Sequence, residues 1–242
     1  MSASKGIRGD MTVGSPMRLI LAFSIPLLLG NVLQQMYNMV DSIVVGNYVG
    51  TTALAAVGTG APIIYMMVAL FMGIGNGAAV IISQYFGAGN LKKVSETVDT
   101  IYTTAMIGAL PVTLLGIIFS GPLLRLINTP DNAFSDARLY MVIIFIGTIF
   151  SLGYNLNSAI MQSLGDSRTP LLLLAIACVL NVVLDLWFVI SFRWGVAGVA
   201  IATILAQAIS WISGIFLINR KYQYIHINLL KFFFDRELFR KI

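Results

Sequence analysis

The chain has 242 residues, of which 58% are hydrophobic and only 10% charged; a soluble domain carries about 25% charged residues, so a bilayer is the expected solvent for this much apolar surface. One cysteine, Cys178, excludes a disulfide framework and a cysteine metal site, and the single histidine, His226, lies beyond the last apolar run, which excludes a histidine-based metal or catalytic cluster within one chain. The net charge of +5 is distributed in the manner of membrane orientation and not of nucleic-acid binding.

The N-terminal segment, residues 1–16, carries Lys5 and Arg8. Arg18 follows, inside an apolar run that reaches about Val45. That run far exceeds the roughly 7–15 residue core of a cleaved signal, so it reads as a retained first span, 17–45. Gly50-Thr51 reads as a helix end followed by an N-cap, and opens a second span at 53–86. Gly87-Ala-Gly-Asn90 ends it, and a third span follows at 94–120. Thr129-Pro-Asp-Asn132 is turn chemistry ahead of a fourth span at 134–163. Gly165-Asp-Ser-Arg-Thr-Pro170 supplies a glycine stop, a Thr169 cap and proline at the first helical position of a fifth span, 170–190. The sixth span is placed at 196–219. Residues 220–242 are basic and aromatic, and read as either a helix along the inner membrane surface or a solvated linker.

The expected fold is therefore all-α: a bundle of six transmembrane helices. With the N-terminus inside, only Arg125, Arg138 and Arg193 of the 15 basic residues fall in outer loops. The positive-inside rule then puts both termini in the cytoplasm, consistent with an even number of spans. The expected location is the cytoplasmic (inner) membrane.

Asp41 is the sole formal charge between Arg18 and Lys92. It ends a stripe of polar residues, Asn31, Gln34, Gln35, Asn38, Asp41 and Ser42, at three-and-four spacing on one helical face. Such a face packs on protein or lines a watery cavity. Pro26, earlier in the same helix, removes one backbone hydrogen bond and can kink it. The fifth span repeats the theme with Asn181 and Asp185 four apart; the fourth offers Tyr154, Asn155, Asn157 and Ser158, and the sixth Thr203 and Gln207. Two carboxylates among polar helix faces suit uptake and release of a proton or Na⁺, or attraction of a cationic substrate. Asn and Gln in such helices more often simply join helices by hydrogen bonds, whereas an intramembrane carboxylate usually has a function. Asp99 reads as interfacial. Gly73, Gly75 and Gly77 read as close packing. Met11, Met17, Met36, Met39, Met66, Met67 and Met72 read as core, or as an adaptable cavity lining.

Four stretches resemble the multidrug and toxic compound extrusion (MATE) transporters: Asp41-Ser-Ile-Val-Val-Gly46 leading into Gly50-Thr-Thr-Ala-Leu-Ala-Ala-Val-Gly58; Ser83-Gln-Tyr-Phe-Gly-Ala-Gly-Asn90; Gln162-Ser-Leu-Gly-Asp-Ser-Arg-Thr-Pro170; and Asn181-Val-Val-Leu-Asp185. The resemblance covers nearly the whole chain and looks closest to the branch with the DNA-damage-inducible prokaryotic members. It implies an antiporter that exports organic cations and other amphiphilic drugs in exchange for H⁺ or Na⁺, with no cofactor and no catalytic residues. It also implies that Asp41, Asn157, Asn181, Asp185 and Thr203 line the cavity of an N-terminal lobe. Asp41, Asn181, Asp185 and Thr203 would hold Na⁺ if Na⁺ is the coupling ion, and Pro26 marks where the first helix bends. Gln34, Asn38, Asn155 and Gln207 are secondary cavity candidates.

The sequence departs from the family pattern twice. Leu186 stands where many relatives have proline after the second carboxylate. The family has twelve spans in two lobes, and this chain accounts for one, so a second lobe (a separate C-terminal half or another copy) is the expected partner. The alternatives are a non-transporting fragment, or a lipid-linked-sugar flippase of the same superfamily. A flippase would be expected to have a more basic cavity, and no Arg or Lys sits centrally in any of these spans. An intramembrane enzyme would lack a Ser–His pair within the spans.

Overall fold

The computed structural model describes residues 15–229 and 232–241. Lys5, Arg8 and Met11 of the N-terminal segment, and Lys231, lie outside the described residues. Helices follow in the order α1 (Pro16–Val44), α2 (Thr51–Gly87), α3 (Leu91–Leu126), α4 (Asp131–Ile146), α5 (Thr148–Ser163), α6 (Arg168–Leu186), α7 (Gly195–Lys221) and α8 (Arg236–Lys241). Four single helices, α2, α3, α6 and α7, together with α1 and its terminal extension, are long and apolar enough to cross a membrane. The α4–α5 pair is bent by 53° and makes six spans when it crosses once.

α1 passes through Pro26 without a break. It then loosens into a π-helical turn, Val45–Val49, which Gly50 ends at φ 120°, a conformation that favours glycine. α6 does the same beyond its carboxylate, with a second wide turn at Trp187–Ser191. α1 packs on α6, α6 on α7, and α5 on α2 and α7, so α1 sits at the edge of the bundle.

Three local expectations change. Thr51 is the first helical residue and caps nothing; Gly50 occupies the cap position. Thr169 does not cap α6 either. The Asp166 carboxylate takes that role, accepting from the Thr169 N–H at 3.1 Å and its hydroxyl at 2.5 Å. The fourth span is two helices, because Gly147 turns the chain where Ile204 leaves no room for a Cβ. Thr113 Oγ1 donates to the Phe145 carbonyl at 3.0 Å, supplying a partner to a helix end that lipid could not satisfy.

The segment after α7 is not one long helix. Asn219 acts as a strand-like partner, its Nδ2 donating to Ile227 O at 3.0 Å and its Oδ1 accepting from Ile227 N at 2.8 Å. This folds the chain back as a strap whose Tyr222, Ile225 and Ile227 are buried. The strap then runs along α3. Phe233 N–H donates to Thr103 Oγ1, Asp235 N–H donates to Thr100 Oγ1, and the Asp235 carboxylate lies 3.7 Å from Lys93 Nζ.

At the same end, Lys221 Nζ lies 2.5 Å from Asp166 Oδ2. Burial pushes the Asp166 carboxyl up, but Lys221 and both Thr169 donors outweigh this and hold it below its ordinary value of 3.8. Its carboxylate is therefore bound more tightly in the folded state, and that contribution is full above pH 3.8 and lost as pH falls through the depressed value. Lys221 is 42% exposed, which limits the pair to about 1 kcal/mol. Asp166→Ala should lower the thermal midpoint of the detergent-purified protein by a few degrees at pH 7, with the gap closing below about pH 4. A variant as stable as the parent at pH 7 would count against this clamp.

Candidate functional site

Asp41 and Asp185 meet between α1 and α6. Asn181, one turn before Asp185 on α6, bridges them. With its amide nitrogen turned inward, as the hydrogen-bond partners require, it donates to Asp41 Oδ1 at 2.7 Å and to Asp185 Oδ2 at 3.2 Å. The two carboxyl groups therefore lie side by side, joined through the Asn181 amide. Asn181 and Asp185 are fully buried and Asp41 nearly so. The second Asp185 oxygen, Oδ1, is buried without a hydrogen-bond partner in the protein.

Thr203 on α7 is buried. Its hydroxyl back-bonds to Val199 O at 3.0 Å, and the Tyr37 side chain reaches it from α1. Tyr140 on α4 lies close enough to feel both carboxylates. Sequence reasoning missed both tyrosines. Tyr37 had a signal, since it stands four residues before Asp41 on the same face. Tyr140 had none, because only the packing of α4 against α2 and α7 brings it there.

One turn toward the strap end, Gln34, Tyr37, Tyr154, Cys178, Gln207 and Ser210 line a cavity of about 30 Å³. That is space for one or two waters and far below the roughly 300 Å³ of a drug pocket. Ser210 Oγ is buried there with no protein partner, as a water site requires.

The remaining candidates separate. Gln34, Gln35, Asn38 and Ser42 lie on the exposed side of α1, where Ser42 Oγ donates to Asn38 O at 2.9 Å and Asn38 Nδ2 to Gln35 Oε1 at 3.4 Å. Asn155 donates to Ser151 O in its own helix at 2.8 Å. The structure does not bring Asn157 to the carboxylates. It is fully buried, accepts from the Tyr102 hydroxyl on α3, and donates to Trp211 O on α7 at 2.8 Å, so it joins three helices. Its cavity role, implied by resemblance, has no support in this geometry. Pro26 is buried in α1, four turns from Asp41. Asp99 is half-buried beside the strap. Met36, Met39, Met66 and Met72 are exposed on α1 and α2, whereas Met67 is core.

The comparisons with known proteins agree with this architecture. The MatE family model matches residues 26–187. A probable multidrug resistance protein of Bacillus subtilis, YpnP, is 35% identical over 209 residues, covering 86% of this chain and 47% of the relative. DNA damage-inducible protein F of Escherichia coli is 22% identical, covering 81% of this chain and 43% of its own. Among solved structures, an outward-facing multidrug resistance MATE family transporter superposes with a TM-score of 0.88 at 26% identity, over all of this chain and 53% of that one. The chain thus spans about half the length of the relatives it matches. Family model, relatives and fold converge: this multi-pass membrane chain belongs to the MATE family of multidrug transporters, of which it forms one lobe.

Proposed function

We propose that the chain is the carboxylate-bearing half of a cation-coupled antiporter, which exports organic cations and other amphiphilic drugs across the cytoplasmic membrane in exchange for H⁺ or Na⁺. The observation that carries this reading is the Asp41–Asn181–Asp185 bridge. It places two carboxyl groups from different membrane helices in contact, one with an oxygen left over. A proton or Na⁺ arriving there changes what holds α1 to α6, and α1 is the edge helix with the fewest other restraints. A ligand that binds two arrangements unequally shifts the balance between them.

The exposed polar face of α1 supports the same reading. Gln35, Asn38 and Ser42 cannot face lipid at this depth without cost, so they fit a watery cavity completed by a second lobe. The distribution of basic residues supports a cytoplasmic location for both termini in this reading. Pro26 is the point where α1 would flex, since one backbone bond is already missing there.

The test is transport in inside-out vesicles carrying the native assembly. A lumen made acidic or Na⁺-rich relative to the bath should drive ethidium accumulation as the ion flows out, and collapsing that gradient should abolish it. Ethidium movement indifferent to both gradients would overturn the antiport reading.

A further inference from the structure

We propose that the strap after α7 forms, with the adjoining end of α3, a binding surface for anionic phospholipid headgroups. Depth is the first argument. Basic residues mark the helix ends on this side of the bundle: Arg18 on α1, Lys92 and Lys93 on α3, Arg220 and Lys221 on α7. α3 has 36 residues, about 54 Å at 1.5 Å per residue, against a hydrocarbon core of about 30 Å. Its excess length leaves the early turns standing in the headgroup layer, and the strap is fastened to those turns through Lys93, Thr100 and Thr103.

The second argument is what the strap turns outward. Its buried side chains, Tyr222, Ile225 and Ile227, and Leu238 on α8, hold it to the protein, while Phe232 is 71% and Phe234 53% exposed, and Phe239 packs against Phe234 with the rings tilted and their centroids 5.4 Å apart. Exposed aromatic rings at this level match the membrane interface, where one side meets acyl chains and the other water. Phe232 stands beside Met106, deeper along α3, while Arg236 and Arg240 follow on α8, so the surface grades from apolar to cationic.

The third argument is charge. The acidic groups near the strap are already engaged, Asp99 and Glu237 among them. Asp235 accepts from Glu237 and Leu238 N–H groups and pairs with Lys93, Glu96 pairs with Lys93, and Asp166 pairs with Lys221. Arg220, Arg236 and Arg240 form no ion pair with a described carboxylate. Cations beside interfacial aromatics, with the acids otherwise engaged, select anionic over zwitterionic headgroups, each contributing severalfold in affinity.

The experiment is native mass spectrometry of the detergent-purified protein with dioleoyl phosphatidylglycerol or dioleoyl phosphatidylcholine. The parent should retain phosphatidylglycerol preferentially, and the preference should fade as salt rises before extraction. Arg236→Gln with Arg240→Gln should cut it about twentyfold, whereas Arg236→Lys with Arg240→Lys should keep it. Equal retention of the two lipids by the parent, or an undiminished preference in the glutamine variant, would overturn the proposal. If the glutamine variant cannot be purified, the salt series on the parent decides, since a preference insensitive to salt rules out a headgroup charge interaction. None of these outcomes depends on whether the assembly transports drugs.

Discussion

Asp41→Asn is expected to abolish ion-coupled efflux by the assembled transporter while leaving the fold and the expression level near those of the parent. Asparagine has the shape of aspartate, and Asp41 sits in a site already shaped by Asn181 and Asp185, so packing is preserved. What disappears is the second carboxyl group. An ion can drive a change between two arrangements only by binding them unequally, and a site that no longer changes charge at Asp41 loses most of that inequality. The loss should be about tenfold or more in gradient-driven ethidium flux, equivalent to about 1.4 kcal/mol of coupling. The informative measurement is flux against the imposed gradient, with purified yield as the control. A well-expressed Asp41→Asn variant with normal, gradient-dependent flux would remove Asp41 from the mechanism. Asp185→Asn should behave similarly, with a larger stability change of either sign because Asp185 is fully buried.

A large stability effect is expected from Gly153→Ala. A Cβ built there comes closer than 3.0 Å to three atoms of the Trp211 indole, which is buried and packed against the Phe150 ring and so has little room to retreat. A Cβ at Gly214 meets the Asn157 amide nitrogen closer than 3.0 Å. The two glycines let α5 and α7 close around one Asn–Trp contact, and Tyr102 completes it from α3. Overpacking of this kind costs about 3 kcal/mol, at the upper end of its usual range. Gly153→Ala should therefore sharply lower the thermal midpoint and the monodisperse yield. Gly73→Ala, where a Cβ meets nothing within 4 Å, should be neutral. Equal stability of the two variants would refute the role given to the α5–α7 contact.

Much of the fold could be read from the chain because membrane spans are long and their punctuation is sharp. Glycine at Gly50, the asparagine before α3 and the Thr129–Asn132 turn all fall at helix ends. The break at Gly147 was hidden, since one glycine in an apolar run carries no signal by itself. It is made by Ile204, more than fifty residues away, and by the Thr113 hydroxyl. The pairing of Asp41 with Asp185 was legible as two polar faces, each with a carboxylate. Which faces meet depends on α1 packing against α6, and no spacing rule encodes that. Asn157 follows the commoner reading of an asparagine on a membrane helix: its partners are a tyrosine hydroxyl and a backbone carbonyl on neighbouring helices. The sequence left the segment after α7 open between a surface helix and a linker, because its fold-back is set by one side chain, Asn219, binding both polar groups of Ile227.

Cys178 gives the water-sized cavity beside the carboxylates a practical consequence. It is the chain's one thiol, half-buried in the cavity wall, with its sulfur 4.0 Å from Leu33 O on the neighbouring helix. A small thiol-selective reagent therefore reports opening between α1 and α6 at a native position, with no engineered label. The rate of its modification, followed as the bathing ion is changed, becomes a clock for the movement of the edge helix.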